Sequence, residues 1–143
     1  MPNIVVQQKI DRPPAMVARV MFDPANEPRW IDGAKRVDPV EQSATQIGTR
    51  VKRHGAFWGR DFSWVTETAA YEADRKLVLK YVEGPMTGDV TYEITPDGNG
   101  SNVTLRNNTA SVIEMPGAST FLKRTLQSDL GRLKKLVERQ PKP

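Results

Sequence analysis

The chain has 143 residues, a length that suits one domain large enough to bury a core. A formal net charge of +4 identifies no partner, and the lack of cysteine excludes disulfides, thiolate metal sites and cysteine nucleophiles. The sequence shows neither a secretory signal nor an apolar run of about 18 residues, so we expect a soluble cytoplasmic protein without stable membrane insertion.

The N-terminal pattern predicts one strand followed by two short helices. Apolar and polar residues alternate over 3–10, which is typical of a half-buried strand. Pro14 suits the first turn of a helix over 15–22, because its missing N–H has no intrahelical partner there. A second short helix is expected over 25–31.

The middle of the chain reads almost entirely as strand. The predicted strands cover 35–43, 48–57, 61–72, 76–83, 88–95 and 102–111. Turn residues (Gly, Pro, Asp and Asn) separate these segments, and apolar residues alternate with polar ones inside several of them. Short hairpins with one polar face indicate an antiparallel meander.

The last predicted element is a helix over 116–138. Its apolar stripe recurs at spacings of 4, 4, 3 and 4 residues, through Leu122, Leu126, Leu130, Leu133 and Val137. One long helix can cover the face of a sheet only if the sheet bends around it. We therefore predict a single α+β domain over 1–143, with a curved antiparallel sheet of about seven strands around this helix. An apolar cavity is expected where sheet and helix do not touch.

Three strings, in this order, carry a resemblance to a known superfamily: IDRPPAMVARVMFDPANEPRWIDG, IGTRVKR, and GRDFSWVTETAAYEADRKLVLKYVEGPMTGDVTYEITPDGNGSNVTLRNN. They resemble the START-like or Bet v 1-like (SRPBCC) superfamily, and specifically its bacterial polyketide cyclase/dehydrase and lipid-transport branch. Ser101 stands where Thr is commoner, and the turn before Arg75 lacks a Pro that is often found there. The resemblance spans about 4–138 and implies a helix-grip fold. It is poorly specific for function, since the superfamily includes carriers, sensors, aromatase/cyclases and protein-interaction members.

Candidate ligand-binding residues are mostly aromatic or long apolar side chains on the face of the sheet expected to be concave. The set comprises Trp30, Phe57, Arg60, Phe62, Trp64, Leu79, Tyr81, Met86, Tyr92, Asn107, Phe121 and Leu122. A ring with a polar tip offers broad apolar contact and one oriented hydrogen bond. Asn107 follows the parity of inward strand positions and could anchor a ligand. The alternatives are plain core packing for the rings and a backbone or water partner for the amide.

The mouth of the cavity is expected near the turns. Arg60 could bind a carboxylate or enolate there, or it could form an exposed ion pair with Asp61. Segment 84–88 is predicted to form a flexible flap over the mouth, and 115–118 is expected to do the same on the helix side.

The sequence offers little for catalysis. His54 has the opposite strand parity to Val51 and Phe57, so we expect it to point away from the cavity unless a bulge near Gly55 turns it inward. Neither a Ser-His-Asp set nor an inward carboxylate pair can be assembled, and no metal or cofactor is predicted.

Three functions remain open. The first is binding, as a carrier or sensor, of a small hydrophobic or aromatic molecule such as a lipid, polyketide or isoprenoid. The second is a polyketide cyclase/dehydratase-type enzyme, and the third is a protein-interaction module. Nucleic acid is not expected as a partner, because the basic face of the last helix lacks interleaved aromatics. Either a monomer or a homodimer is compatible with the sequence.

Overall fold

The computed structural model describes residues 3–40, 42–57, 59–111 and 117–143, and within these ranges it has seven strands and three α-helices. The elements are β1 Asn3–Ile10, α1 Pro14–Met21, α2 Glu27–Trp30, β2 Ala34–Val37, β3 Arg50–Phe57, β4 Arg60–Glu72, β5 Lys76–Glu83, β6 Met86–Asp97, β7 Gly100–Ser111 and α3 Ala118–Glu138. A 3₁₀ turn, Pro24–Asn26, leads into α2.

All seven strands form one sheet in the order β1-β7-β6-β5-β4-β3-β2, and each neighbouring pair is antiparallel. Strands β2 to β7 are therefore the predicted meander, and β1 returns to pair with β7. The pairing of β4 with β5 shifts register between Val65 and Thr66 and again between Thr68 and Ala70. Such irregularities bend a strand, and the sheet curls into a half-barrel around α3. The predicted fold class is confirmed.

The two halves of α3 differ in burial. Leu130, Leu133 and Val137 are 0% exposed and pack into the core with β1 and α1. Phe121, in the first turn of α3, is 54% exposed. The predicted stripe is thus fully buried only along the second half of the helix. The predicted start at Pro116 lies outside the described residues.

The C-terminal end of α3 is fastened to the turn after β1. The Arg12 guanidinium donates to the carbonyls of Glu138 (2.7 Å) and Gln140 (2.8 and 3.0 Å). The Glu138 carboxylate in turn accepts the backbone N–H of Asp11 at 2.9 Å. These bonds satisfy carbonyls that a helix end leaves without partners, and they fix α3 against the sheet at this end.

The predicted strand over 35–43 is wrong in its length, because β2 ends at Val37. The backbone N–H of Asp38 makes a last bond to the Lys52 carbonyl at 3.0 Å. Pro39 follows, and proline has no N–H to continue the ladder.

The predicted flap over 84–88 is also wrong. Strand β6 begins at Met86, which pairs with Ser111, so only Gly84 and Pro85 separate β5 from β6. Gly84 has a φ of +115°, and a Cβ there would lie 2.8 Å from the Cβ of Trp64. A glycine therefore permits a tight turn where the sequence suggested a longer loop.

We expect Gly55→Ala to lower the free energy of unfolding by about 3 kcal/mol, because a Cβ on Gly55 would overlap its neighbours. That Cβ would lie 1.8 Å from the Gly33 carbonyl oxygen and 2.8 Å from the Trp64 ring. The control is Gly131→Ala on α3, where a Cβ meets open space and should add about 0.5–1 kcal/mol of stability. Urea unfolding followed by circular dichroism measures both, and equal midpoints would contradict the expectation.

Candidate functional site

A cavity of about 400 Å³ lies between the concave face of the sheet, α2 and the first half of α3. Its size falls within the range of small-molecule sites. Ten of the predicted residues line it: Trp30, Phe62, Trp64, Leu79, Tyr81, Met86, Tyr92, Asn107, Phe121 and Leu122. Their contact with a ligand stays a prediction. Most of the residues chosen from strand alternation and the helical stripe therefore line the same cavity.

Two predicted residues are not placed in this wall. Arg60 is exposed at the start of β4, beside the hairpin turn, and is not among the residues that line the cavity. It pairs across the strands with Phe57, whose side chain lies outside the part of the chain that the structure describes. The structure therefore offers no support for Arg60 as the anchor of a ligand.

Aromatic rings form the floor of the cavity. Trp30 is 1% exposed and meets the ring of Tyr92 edge-on, with centroids 5.9 Å apart. Phe22 stacks on Tyr92 with ring centroids 6.4 Å apart. Tyr92 is thus in contact with two other rings, and this packing fixes its position in the wall. The buried Trp30 Nε1 has no hydrogen-bond partner among the described residues.

A buried ion pair joins α2 to β3 in the same wall. Arg53 donates from Nε to Glu27 Oε1 (2.5 Å) and from Nη2 to Glu27 Oε2 (2.8 Å), and both side chains are 4% exposed. Its Nη1 donates to Thr66 Oγ1 (2.6 Å) and to the Val51 carbonyl (3.4 Å). Burial by itself would lower the pKa of Arg53, but the charge and hydrogen bonds of Glu27 raise it. The guanidinium therefore remains charged.

Sequence reasoning missed this pair. Arg53 has the same strand parity as Val51, so the alternation that turned His54 outward also turned Arg53 inward. That signal was available in the sequence. Glu27 lies on a helix of four residues, where no periodic pattern can develop, so its direction had no comparable signal.

Two tyrosine side chains contribute uncharged polar groups. Burial raises the pKa of Tyr81 to about 12, against the lowering effect of Arg53. Burial, together with the charge of Glu27, raises the pKa of Tyr92 well above its ordinary value. Both phenols therefore stay protonated near neutral pH. Neither hydroxyl has a hydrogen-bond partner within the described ranges.

Asn107 and Thr109, on β7, add two further polar side chains to the wall beside the two tyrosines. Both are buried, and Thr109 Oγ1 donates to Asn107 Oδ1 at 2.5 Å. Asn107 thereby keeps its carbonyl oxygen occupied, while its Nδ2 group has no acceptor in the described part of the chain. The amide N–H groups remain available as donors.

Asp129 is a carboxyl on the α3 side of the cavity that the sequence analysis did not predict. It accepts the backbone N–H of Asp32 at 3.1 Å and a hydrogen bond from Arg132. Arg132 Nε also donates to the Trp30 carbonyl at 3.1 Å, so this cluster ties α3 to the end of α2. Burial raises the pKa of Asp129, although the Asp32 N–H and Arg132 oppose the shift. With Glu27, the described lining of the cavity has two carboxyls, where the sequence analysis found no inward carboxylate pair.

A Ser-His-Asp set, which the sequence analysis could not assemble, lies on the outer face of the sheet. His54 contacts Ser63 Oγ through Nδ1 (2.9 Å) and Asp38 Oδ1 through Nε2 (2.9 Å). The register of β3 with β4 places His54 opposite Ser63, away from the cavity as predicted. Both strands are interior to the sheet, so their N–H groups serve the ladder and supply no oxyanion hole. The set links β4 to the segment after β2.

Two other properties concern the described residues alone. No three carboxylate or histidine side chains there lie close enough together to hold a metal ion. None of the described helices is both long and apolar enough to cross a membrane.

Comparisons with known proteins agree with this architecture. A family model described as polyketide cyclase/dehydrase and lipid transport matches residues 1–138. TTHA0849 from Thermus thermophilus superposes with a TM-score of 0.81 at 18% identity, over 96% of this chain and 98% of that one. The ZhuI aromatase/cyclase from Streptomyces sp. R1128 superposes with a TM-score of 0.78 at 15% identity, over 96% of this chain and 94% of that one. Ginseng major latex-like protein 151 from Panax ginseng superposes with a TM-score of 0.70 at 16% identity, over 94% of this chain and 96% of that one. At these identities the likeness bears on the fold alone. A search of curated proteins finds no match.

We expect Glu27→Met to lower the free energy of unfolding by about 3–5 kcal/mol, because it leaves the charge of Arg53 buried without its partner. The double variant Glu27→Met/Arg53→Met removes both charges and should cost much less than the single one, about 1 kcal/mol. Urea unfolding of the wild type and both variants measures the difference. A double variant as unstable as the single one would show that the charges are not coupled in this way.

Proposed function

Because the chain belongs to the polyketide cyclase/dehydrase and lipid transport family, we propose that it reversibly binds a small, largely apolar molecule as a cytoplasmic carrier or sensor. The observation that carries this proposal is the cavity of about 400 Å³ between sheet and helix. Its walls are mainly apolar, and a few polar groups converge on it from β5, β6 and β7. A lipid, polyketide or isoprenoid fragment has the matching chemistry.

Affinity would come mainly from burial. A ligand that removes about 300 Å² of apolar surface from water gains about 7 kcal/mol before the costs of association are subtracted. The rings of Trp30 and Tyr92 supply rigid contact area on the sheet side. Phe121, which is largely exposed, and Met86 supply adaptable contacts at the rim.

A cyclase/dehydratase-type enzyme is the second candidate. Asp129 is the observation that favours it, because this carboxyl lies in the cavity wall, where it could act as an acid or base, and burial raises its pKa. The protonated phenols of Tyr81 and Tyr92 could polarise a carbonyl of the substrate. A binding function requires neither step, so it remains the first choice. An interaction module is less well supported, because the interior is not filled.

The direct test of binding is native mass spectrometry of the purified protein, followed by denaturing extraction of anything bound. We expect a hydrophobic molecule at or near one equivalent, since a cavity of this size is costly to leave empty. Its identity would give the ligand class. A protein that is recovered empty and binds none of a panel of lipids, polyketides and isoprenoids would contradict the proposal.

Blocking the cavity gives a second test. Thr125→Trp places an indole at a half-buried position that lines the cavity, whereas Thr120→Trp adds the same ring at an exposed position of the same helix. We expect the first variant to weaken binding of the uncharged fluorescent probe 1-aminoanthracene by about tenfold or more, and the second to leave it unchanged. Equal binding by both variants would show that the probe binds outside this cavity.

Carrier and enzyme are separated by asking whether the recovered molecule is altered. Mass spectrometry before and after incubation should show no change for a carrier. Conversion by the wild type but not by Asp129→Asn, with His54→Gln on the outer face as the matched control, would favour the enzyme instead.

A further inference from the structure

We propose that the cavity selects ligands whose polar group is uncharged, such as a hydroxyl, ketone or quinone oxygen, and discriminates against carboxylates. This specificity rests on the proposed function, because it concerns the ligand of the same cavity. It follows from how the charged and polar groups of the wall are already partnered.

The only cation in the described lining is already neutralised. Of the described residues that line the cavity, Glu27, Arg53 and Asp129 are the acidic and basic ones. Every guanidinium nitrogen of Arg53 donates to a protein acceptor, and the Glu27 carboxylate takes two of these bonds in a bidentate pair. A ligand carboxylate would have to displace Glu27, which would then be buried without its partner.

Asp129 adds to this bias. Its carboxyl lines the α3 side of the cavity, while its ion-pair partner Arg132 is not among the lining residues. Two acidic side chains therefore face the space against one paired cation. An anionic ligand would lose its hydration and meet like charge, and in a medium of low dielectric constant both effects are large.

For an uncharged ligand oxygen, by contrast, the wall offers hydrogen-bond donors that carry no charge. The hydroxyls of Tyr81 and Tyr92 and the amide N–H groups of Asn107 have no hydrogen-bond acceptor among the described residues, and all three side chains line the cavity. Their raised pKa values keep both phenols in the donor form. A carbonyl or hydroxyl oxygen accepts from such neutral donors without bringing a charge into the cavity.

The test compares probes of one skeleton that differ in charge: 2-acetylnaphthalene, 2-naphthol and 2-naphthoate at pH 7.5, each displacing 1-aminoanthracene from the full chain. We expect the ketone and the naphthol to bind about tenfold tighter, or more, than the carboxylate. Naphthoate binding as tight as the ketone would overturn this inference and leave the proposed function standing. Failure of 1-aminoanthracene and all three naphthalenes to bind would overturn both.

The variant Glu27→Gln should remove most of the preference for the ketone over the carboxylate, because it frees the charge of Arg53 to meet a ligand anion. We expect naphthoate to gain about tenfold in affinity while 2-acetylnaphthalene changes by less than about threefold. Glu67→Gln, which removes a carboxylate paired with Arg50 outside the cavity, is the matched control and should change neither. If Glu27→Gln leaves the ratio of the naphthoate and 2-acetylnaphthalene affinities unchanged, the pairing of Arg53 with Glu27 does not set the preference.

Should Glu27→Gln not fold, Glu27→Met/Arg53→Met provides an independent measurement. The proposal requires that naphthoate binding not weaken in this double variant, because the paired arginine contributes nothing to anion binding in the wild type. A loss of about tenfold or more for naphthoate alone would mean that Arg53 binds anions, and would overturn the inference.

Discussion

The ion pair between Glu27 and Arg53 is the constraint on which the rest of the site depends. It is buried and bidentate, and it connects a helix of four residues to an interior strand of the sheet. So short a helix has little stability of its own, so this bond and the packing of Trp30 determine where it lies. Trp30 in turn holds Tyr92. The shape of the cavity and the neutralisation of its one described arginine therefore have a common origin.

How α3 is held explains why the cavity opens where it does. Its second half is fixed by Leu130, Leu133 and Val137 in the core and by Arg12 at the C-terminal end. In the middle, Arg132 binds the Trp30 carbonyl at the end of α2, and Asp129 binds the backbone N–H of Asp32 just after it. Between Asp129 and its N-terminus, the helix has side chains that are only partly buried or exposed, and this part covers the cavity. The buried second half of α3 holds the helix in place, and its more exposed first half forms one wall of the site.

Much of this arrangement could be predicted because it is local. Strand alternation depends only on the pleat, so Trp64, Tyr81 and Tyr92 could be placed in one wall from the sequence. Arg53 obeyed the same rule, but a charged residue is rarely buried unless it is paired, and its partner was not visible. Glu27 lies on a helix too short for a periodic pattern. Asp129 lies three residues after Leu126 and four before Leu133, so the helical spacing that predicted the stripe also places Asp129 on the inward face. The end of β2 at Val37 and the tight turn at Gly84 likewise depended on single residues, Pro39 and Gly84 itself.

The cavity is a product of the sequence on α3 as much as of the curvature of the sheet. From the first half of the helix, Phe121, Leu122 and Leu126 line the cavity together with the smaller Ala118, Ser119 and Thr125. Further along the same element, Leu130, Leu133 and Val137 fill the interior. Larger apolar residues in the first half would fill the space and add contacts, since cavities lower stability. The small or polar side chains of Ala118, Ser119 and Thr125, which face aromatic rings on the sheet, leave part of this space unfilled. A fully buried second half therefore holds the helix in place, while the partly open first half leaves the space that a ligand could fill.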